Sequence, residues 1–294
     1  MDNAIKPSQS QLPVQRDTMN FDIVPASNFP LSDLVKFLNQ GFESYFVPIQ
    51  FNTETFLTML RKDGTDLTAS RVLLLDDRPC GIALIARRGW TSRLAAMGIS
   101  SEMRGKGAGS RFMEGLIKEA RQRGEREMVL EVIEQNEAAV RLYQKSGFDV
   151  VRRLLGFTRK DKHIQEHEKA DLHEIDLREM SRLILQHGWS DLPWQLSGES
   201  IVQMNPPARA YQKGRAYSVV SNPAVEHVVI WSLLVEPSAR GNGLGTDMLK
   251  SVIANHTGKI WHVPAVFPEE CARVFQRAGF EQEKLSQWQM RLIL

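Results

Sequence analysis

The sequence of 294 residues is poor in several features that mark particular protein classes. Its two cysteines, Cys80 and Cys271, fall in different halves, too few for a disulfide framework and too far apart for a metal-binding pair. The formal net charge is only +2, and no basic stripe indicates nucleic-acid binding. Apolar runs of the length needed for a membrane span or a signal peptide are also missing. We therefore expect a cytoplasmic protein without nucleic-acid or membrane partners.

A long internal repeat organises the chain. Arg104-Gly-Lys-Gly-Ala-Gly109 in the first half is answered by Arg240-Gly-Asn-Gly-Leu-Gly245 in the second. Further along, Leu142-Tyr-Gln-Lys-Ser-Gly-Phe148 is answered by Val274-Phe-Gln-Arg-Ala-Gly-Phe280. The two motifs keep the same order and nearly the same separation, which predicts a duplicated domain of about 130 residues.

The repeat predicts four segments. Residues 1–20 form a flexible arm, 21–160 a first domain (copy one), 161–169 a linker and 170–294 a second domain (copy two). The linker region contains His163 and His167, with His173 just beyond, so a metal site is one interpretation. The ligand spacing is weak and the segment is highly charged, which favours a solvated connector and no metal.

Hydrophobic periodicity predicts the same order of strands and helices in both copies. Copy one has strands at 21–24, 71–75, 80–87, 93–99, 128–133 and 148–155, and helices at 30–40, 53–62, 108–121 and 137–145. Copy two has strands at 172–176, 209–221 (two), 228–235, 259–266 and 280–293, and helices at 177–187, 243–254 and 269–278. This order implies an α/β fold with a mixed sheet flanked by helices.

The glycine-rich loop of copy one follows a strand that ends at Ile99 and precedes a helix. The first amides of that helix have no internal acceptor, and its dipole favours negative charge. Gly105, Gly107 and Gly109 let a phosphate approach the backbone, and Arg104 adds a positive charge. An ordinary strand-to-helix turn explains the loop equally well when it is taken alone. Lys106 is followed by glycine, which excludes a Walker loop.

The two motifs together resemble the GNAT superfamily of acetyl-CoA-dependent N-acetyltransferases. The matching positions of copy one are Arg104, Gly107, Gly109, Asn136, Ala139, Leu142, Tyr143, Gly147 and Phe148. The segment Leu130-Glu-Val132 also resembles the protein N-terminal alanine acetyltransferases of that superfamily. The resemblance covers residues 71–157 well, and the tandem layout is similar to that of mycothiol synthase.

The resemblance implies a set of acetyl-CoA contacts. The implied residues are Met97, Gly98, Ile99, Arg104, Gly105, Lys106, Gly107, Ala108, Gly109, Ser110, Asn136 and Tyr143 in copy one, and Arg240, Gly243 and Gly245 in copy two. The amides of residues 106–110 are expected to bind the diphosphate. The strand at residues 97–99 is expected to hold the pantetheine arm and polarise the thioester carbonyl.

Two residues are candidates for the chemistry. Glu131 is the charged residue within an apolar strand, and partial burial would make its carboxylate a better base. Alternatively, it faces solvent or pairs with an arginine such as Arg126. Tyr143 is a candidate acid toward the departing thiolate. The apolar face of the helix at 137–145, taken alone, predicts instead that Tyr143 is a core residue that packs with Val140.

Copy two departs from the pattern at the residues that carry the chemistry. Phe275 stands opposite Tyr143, Val263 opposite Glu131 and Pro268 opposite Asn136. Arg240, Gly243 and Gly245 remain, so its phosphate cradle survives. We expect copy two to be catalytically silent.

The leading hypothesis is an enzyme that transfers acetyl from acetyl-CoA to a primary amine of a small molecule, a protein N-terminus or a lysine. A non-catalytic acyl-CoA sensor is the alternative, and a generic nucleotide-binding module is a third, weaker one. The acceptor pocket is expected within residues 30–65. There Phe42, Tyr45 and Phe46 suit pocket lining and plain packing equally.

Overall fold

A computed structural model describes residues 20–43, 45–48, 50–160 and 170–294. Within these ranges, twelve strands form one mixed sheet in the order β1-β2-β3-β4-β5-β12-β6-β11-β10-β9-β8-β7. The strands are β1 Phe21–Pro25, β2 Arg71–Leu75, β3 Arg78–Arg88, β4 Thr91–Ile99, β5 Glu127–Ile133, β6 Asp149–Lys160, β7 His173–Ile175, β8 Arg209–Lys213, β9 Ala216–Val220, β10 His227–Val235, β11 Ile260–Pro268 and β12 Glu281–Ile293. The predicted strand order along each copy is confirmed.

Eight helices of the described residues flank the sheet. They are α1 Leu31–Gly41, α2 Thr53–Asp63, α3 Ala108–Gln122, α4 Glu137–Lys145, α5 Leu177–His187, α6 Gly198–Ile201, α7 Leu244–Asn255 and α8 Ala272–Arg277. The predicted helix at 269–278 is in fact a 3-10 turn, Glu269–Cys271, followed by the short α8. The short α6 was not predicted. It begins with a Ser197 side chain that caps the Ser200 amide.

The last strands of the two copies are exchanged. β12, from copy two, lies between β5 and β6 of copy one and pairs antiparallel with both. β6, from copy one, in turn pairs with β11 of copy two. The two copies therefore share one sheet, and each is completed by a strand of the other. The proposed linker, 161–169, with His163 and His167, lies outside the described residues, so the boundary between the copies stays a prediction.

The predicted strand 148–155 ends too early, because β6 continues to Lys160. The prediction stopped at Gly156, where the ladder has register shifts on both sides. A Cβ at Gly156 would lie 3.0 Å from Glu283 Oε2 and 3.2 Å from the Ala265 amide nitrogen. Gly156 therefore lets β11 and β12 lie close to β6, and the strand continues through it.

Each copy buries apolar side chains on both faces of its part of the sheet. In copy one, Phe112 and Leu116 of α3 pack on one face, while Leu34 of α1 and Phe56 of α2 pack on the other. Two further clusters repeat this arrangement in copy two. None of the helices described in the structure is long and apolar enough to cross a membrane.

Candidate functional site

The site of copy one begins where two parallel strands separate. β4 and β5 pair only from Thr91 to Arg93 on β4, against Glu127 to Val129 on β5. Beyond this point β4 continues to Ile99 and remains paired with β3 on its other side. The edge of β4 that faces β5 therefore loses its strand partner at Met97, Gly98 and Ile99. An extended ligand can take the missing strand's place there.

The glycine loop lies at the open end of this gap. Gly105 and Gly107 have φ values of +74° and +83°, a region that favours glycine. Arg111 donates to the Gly107 carbonyl, so Ala108, Gly109 and Ser110 precede the first such bond. Their amides point outward at the start of α3. A Cβ built on Gly105 or Gly107 would meet nothing within 4 Å. The backbone at these two glycines is therefore uncrowded, and free amides at the start of a helix can bind a phosphate group.

Arg104 holds the loop in place. Its guanidinium donates to the carbonyls of Ile99 at 3.1 Å, Gly41 at 3.0 Å and Glu43 at 3.1 Å. The glycine loop is thereby tied both to the end of β4 and to the end of α1. Arg104 brings a positive charge to the predicted diphosphate site, and its hydrogen bonds explain why arginine suits this position better than lysine.

Helix α1 ends directly against β4. A Cβ on Gly41 would lie 2.7 Å from the Cα of Gly98, and the reverse contact is equally short. Both positions require glycine because the two backbones touch. Gly98 was predicted as a cofactor contact. Its close packing against Gly41 is a separate reason why this position is glycine.

Tyr143 lies on α4, and Asn136 is the residue that precedes this helix. Asn136 caps this helix by accepting from the Ala139 amide at 3.3 Å. Tyr143 is 8% exposed. Burial, and secondarily Tyr45, raises the pKa of its phenol well above the usual range. Tyr143 therefore stays protonated at neutral pH, as a proton donor must.

Tyr45 lies in the loop after α1 and hydrogen-bonds to Asn136. Burial raises the pKa of its phenol, while a hydrogen bond with the side chain of Asn136 lowers it. Its ring packs edge-on against Phe42 at 4.9 Å and Phe46 at 5.7 Å between centroids. The three aromatics predicted for the acceptor pocket thus form one cluster at the gap, and a role in acceptor binding stays a prediction.

Glu131 is buried in an ion pair rather than exposed. Its Oε2 lies 2.7 Å from Nε of Arg93, and its side chain is 2% exposed. Arg93 also pairs with Asp63 of α2 at 3.0 Å. The partner considered from sequence, Arg126, instead lies over the ring of Trp90.

Two residues of copy two contact the Glu131 carboxylate. The Trp194 amide approaches Glu131 Oε1 at 3.4 Å, and Nε2 of Gln195 approaches Oε2 at 3.4 Å. The indole nitrogen of Trp194 donates to the Asp63 carbonyl at 2.7 Å. The side chain that sequence reasoning selected as a base is thus shared between the two copies.

Copy two has a similar gap, with Phe275 and Val263 at the positions that match Tyr143 and Glu131. β10 and β11 pair only from His227 to Val229. Gly241 and Gly243 have φ values of +84° and +79°, with open space in front. Arg240 donates to the carbonyls of Val235 and His187, just as Arg104 binds Ile99 and Gly41.

The two positions of copy two that match Tyr143 and Glu131 are apolar. Phe275 is fully buried and packs against Phe157 and Phe267, with centroids 5.0 Å and 5.2 Å away. Val263, opposite Glu131, is also fully buried. No acid or base is present at either position.

Sequence reasoning missed Arg93, Asp63 and Trp194. Arg93 carried a usable signal, because it is a charged residue at the start of a predicted strand and must find a partner if that strand is buried. Asp63 and Trp194 gave no signal, since their role depends on how helix α2 and copy two dock. Among the described residues, no cluster of histidine, cysteine and acidic side chains suits a metal ion.

Comparison with known proteins agrees with this geometry. Residues 34–148 match the model of the acetyltransferase (GNAT) family. No curated protein matches the sequence. The matched residues include the glycine loop, Asn136 and Tyr143, and the whole chain has the tandem GNAT fold.

Solved structures of similar fold span both copies. A GCN5-related N-acetyltransferase from Sphaerobacter thermophilus has a TM-score of 0.66 at 14% identity, over 93% of this chain and 95% of that chain. A tandem GNAT protein from the clavulanic acid biosynthesis pathway has a TM-score of 0.62 at 15% identity, over 93% and 98%. A putative acetyltransferase from Pyrococcus horikoshii has a TM-score of 0.61 at 16% identity, over 97% and 93%. At these identities the likeness concerns the fold, and it confirms the predicted tandem α/β arrangement.

Proposed function

We propose that the protein is an N-acetyltransferase that uses copy one to transfer an acetyl group from acetyl-CoA to a primary amine. The observation that carries the proposal is the open row of amides at the start of α3, directly beyond the gap between β4 and β5. This combination suits a phosphate-headed ligand whose arm lies along the unpaired edge of β4. Acetyl-CoA supplies the acyl group as a thioester.

The proposed binding residues follow from the gap and the loop. The amides of residues 106–110 bind the diphosphate, with Gly105 and Gly107 leaving it room. The backbone of Met97, Gly98 and Ile99 orients the arm and donates toward the thioester carbonyl, where negative charge develops. The side chain of Asn136 caps α4 through its oxygen and hydrogen-bonds to the Tyr45 phenol, so we propose that the remaining N–H of its amide contacts the ligand.

Two side chains move protons in the proposed reaction. The Tyr143 hydroxyl donates its proton to the departing sulfur. Burial raises its pKa and so weakens it as an acid, which means that the developing thiolate must lie within hydrogen-bond distance of the hydroxyl. Glu131 takes the proton from the acceptor amine. Because its carboxylate is 2% exposed and shared with Arg93, the amine or a relaying water must reach it through the gap between β4 and β5.

Tyr143→Phe tests the proposal with little change in packing, because phenylalanine occupies the same position in copy two. We expect turnover with acetyl-CoA and a reactive amine to fall by about 10²–10⁴-fold. The KM for acetyl-CoA should change little, since the hydroxyl acts on the leaving group. Release of the CoA thiol measures the rate.

Val140→Ala is the matched control on the same helix, because it changes packing beside α4 without touching the phenol. The proposal is contradicted if Tyr143→Phe retains the wild-type turnover. An absence of transfer with any amine, together with tight CoA binding, would favour the alternative of a non-catalytic acyl-CoA sensor.

A further inference from the structure

A row of polar side chains crosses the sheet beside the site of copy one. In the ladder, Gln289 of β12 lies directly opposite Glu131 of β5 on one side and Arg152 of β6 on the other. Residues directly opposite each other in an antiparallel pair project from the same face of the sheet. The three side chains therefore form one row, which spans two strand spacings, or about 10 Å.

Copy two covers this row. The carbonyl of Asp191 accepts from Nε2 of Gln289 at 3.0 Å. Gln195, in the 3-10 turn Trp194–Leu196, lies with its Nε2 3.4 Å from Oε2 of Glu131. Because β12 belongs to copy two, the second copy supplies both the middle of the row and its cover.

Three buried atoms in this place have no hydrogen-bond partner among the described residues. They are Oε1 of Gln195, Oε1 of Gln289 and Nε of Arg152. The orientation of both amides is fixed, because turning either would place its oxygen against the oxygen that its nitrogen now contacts. Gln289 is only 6% exposed, and a protein interior pairs almost all such atoms. The row thus offers a ligand two hydrogen-bond acceptors and one donor.

The two ends of the row favour different ligand groups. The polar atoms of an amide are at most about 2.6 Å apart, so Oε1 of Gln195 lies within about 6 Å of the Glu131 carboxylate. Two acceptors beside the gap between β4 and β5 suit an amine. At the other end, Arg152 already pairs with the carboxylates of Asp191 and Glu270. An uncharged carbonyl therefore suits its Nε better than a third carboxylate, which the other two would repel.

A ligand that uses the whole row must be longer than a single amino acid. An extended chain advances about 3.3–3.6 Å per residue, so about three residues span 10 Å. A chain with amides presents N–H and C=O groups in turn, which gives a donor to Gln289 and an acceptor to Arg152. A simple alkylamine supplies only the amine at the first position.

We propose that Gln195, Gln289 and Arg152 form the acceptor-binding part of the site, and that the acceptor is a primary amine at the end of a short chain with amides. Two of these residues belong to copy two, so the second copy completes the acceptor site of the first. They bind and orient the acceptor and add no step to the reaction. The side chain of Asp191 is 44% exposed, and the chain enters at this end by displacing it. This proposal rests on the proposed function, because the bound amine is the one that copy one acetylates.

Binding is measured first, by ligand-observed NMR titration of the full-length chain with trialanine amide in the presence of CoA, which lacks an acetyl group. Gln289→Leu removes the unpaired oxygen and should weaken binding about tenfold. Gln287→Leu is the matched control, because Gln287 lies on the same strand and donates to the Ala265 carbonyl at 2.8 Å, away from Glu131. It should bind as the wild type does. Equal affinity of the two variants, or no binding by the wild type, overturns the proposal.

Arg152→Lys covers the case in which Gln289→Leu does not fold. Lysine keeps the charge that pairs with Asp191 and Glu270 but lacks the Nε–H group of arginine. We expect about a tenfold loss of affinity for trialanine amide and no loss for alaninamide, which is too short to reach Arg152. An equal loss for both probes indicates a structural role and also overturns the proposal.

Turnover separates this proposal from the proposed function. Both probes carry an α-amine next to an amide, so their amines have similar basicity. The wild type and Gln287→Leu should have a kcat/KM for trialanine amide at least about tenfold above that for alaninamide. This ratio should approach one in Gln289→Leu and Arg152→Lys, with an unchanged KM for acetyl-CoA. An unchanged ratio in both variants refutes the acceptor site but not acetyl transfer. Binding of trialanine amide without transfer to any amine contradicts the proposed function instead.

Discussion

Nε of Arg93 lies 2.7 Å from Oε2 of Glu131, inside the protein and between the two strands that separate to form the site. Burial alone lowers the pKa of Arg93, but Glu131 and Asp63 outweigh it and raise that pKa above its usual value. Arg93 is therefore charged at every working pH. Its two carboxylate partners and the turn of copy two form one buried polar unit, in which Arg93 is the cation that both carboxylates share.

Removing Arg93 should destabilise the protein more than removing the charge of Glu131. Arg93→Met leaves two buried carboxylates without their cation, at a cost of about 3–5 kcal/mol. Glu131→Gln leaves Arg93 paired with Asp63 and should cost only about 1–2 kcal/mol. Chemical denaturation of both variants checks the order.

The same pair separates a structural role of Glu131 from a catalytic one. If Glu131 is the base, Glu131→Gln lowers kcat by about 10²–10⁴-fold at a temperature where the variant is folded. A folded Glu131→Gln variant with the kcat of the wild type would remove Glu131 from the mechanism.

Gly107→Ala should weaken acetyl-CoA binding. The φ of +83° costs a non-glycine residue about 1–2 kcal/mol, and the methyl group enters the open space before the amides of α3. We expect the KM for acetyl-CoA to rise about tenfold, with kcat less affected. Gly124→Ala is the control, because Gly124 has a φ of +79° and open space but follows the far end of α3. Equal KM values in the two variants would argue against a cradle at Gly107.

Lys62 should make the interface between the copies sensitive to alkaline pH. Its ammonium lies 3.2 Å from the centre of the Trp231 ring. Burial lowers its pKa to about 8, against a weaker opposing effect of Asp63. The unfolded chain thus binds the proton more tightly between about pH 8 and 10.5, so the contribution of Lys62 to stability rises with pH across that window.

Lys62→Met tests this pH dependence. It should stabilise the protein by about 1–3 kcal/mol at pH 7, where the folded wild type buries a charge. This advantage should shrink between pH 8 and 10.5 as the wild-type lysine becomes neutral. Thermal denaturation of both proteins at matched pH values provides the difference. A difference that is constant with pH would mean that Lys62 titrates normally.

Residues 1–160 alone should not form a stable monomer. Without β12, the inner edges of β5 and β6 lose the partner that both require, and exposed edges of this length favour aggregation. We expect residues 1–160 to be insoluble when expressed alone and soluble when coexpressed with residues 170–294. Light scattering and circular dichroism distinguish these states. A folded monomer of residues 1–160 would show that the exchange of strands is dispensable.

Local patterns predicted the elements better than their assembly. The helices at 137–145 and 177–187 agree with the structure at both ends, because capping residues and apolar spacing mark them directly. No local sequence pattern indicates the exchange of β6 and β12. Each strand has the same alternation whichever sheet neighbour it takes, and the choice depends on the docking of the copies.

The buried polar unit around Glu131 could not be predicted from the sequence, for a related reason. The motif identified the carboxylate, yet its partners Arg93, Asp63 and Trp194 are distant in sequence and belong to three separate elements. Burial of Tyr143 was predictable from the apolar spacing of α4, whereas the approach of Tyr45 depended on a loop without periodicity.

The interlaced strands make each copy part of the other's scaffold. A chain that ended after copy one would lack β12 and leave an empty place between β5 and β6 in the middle of the sheet. Copy two is therefore an architectural part of copy one, whatever chemistry its own residues carry.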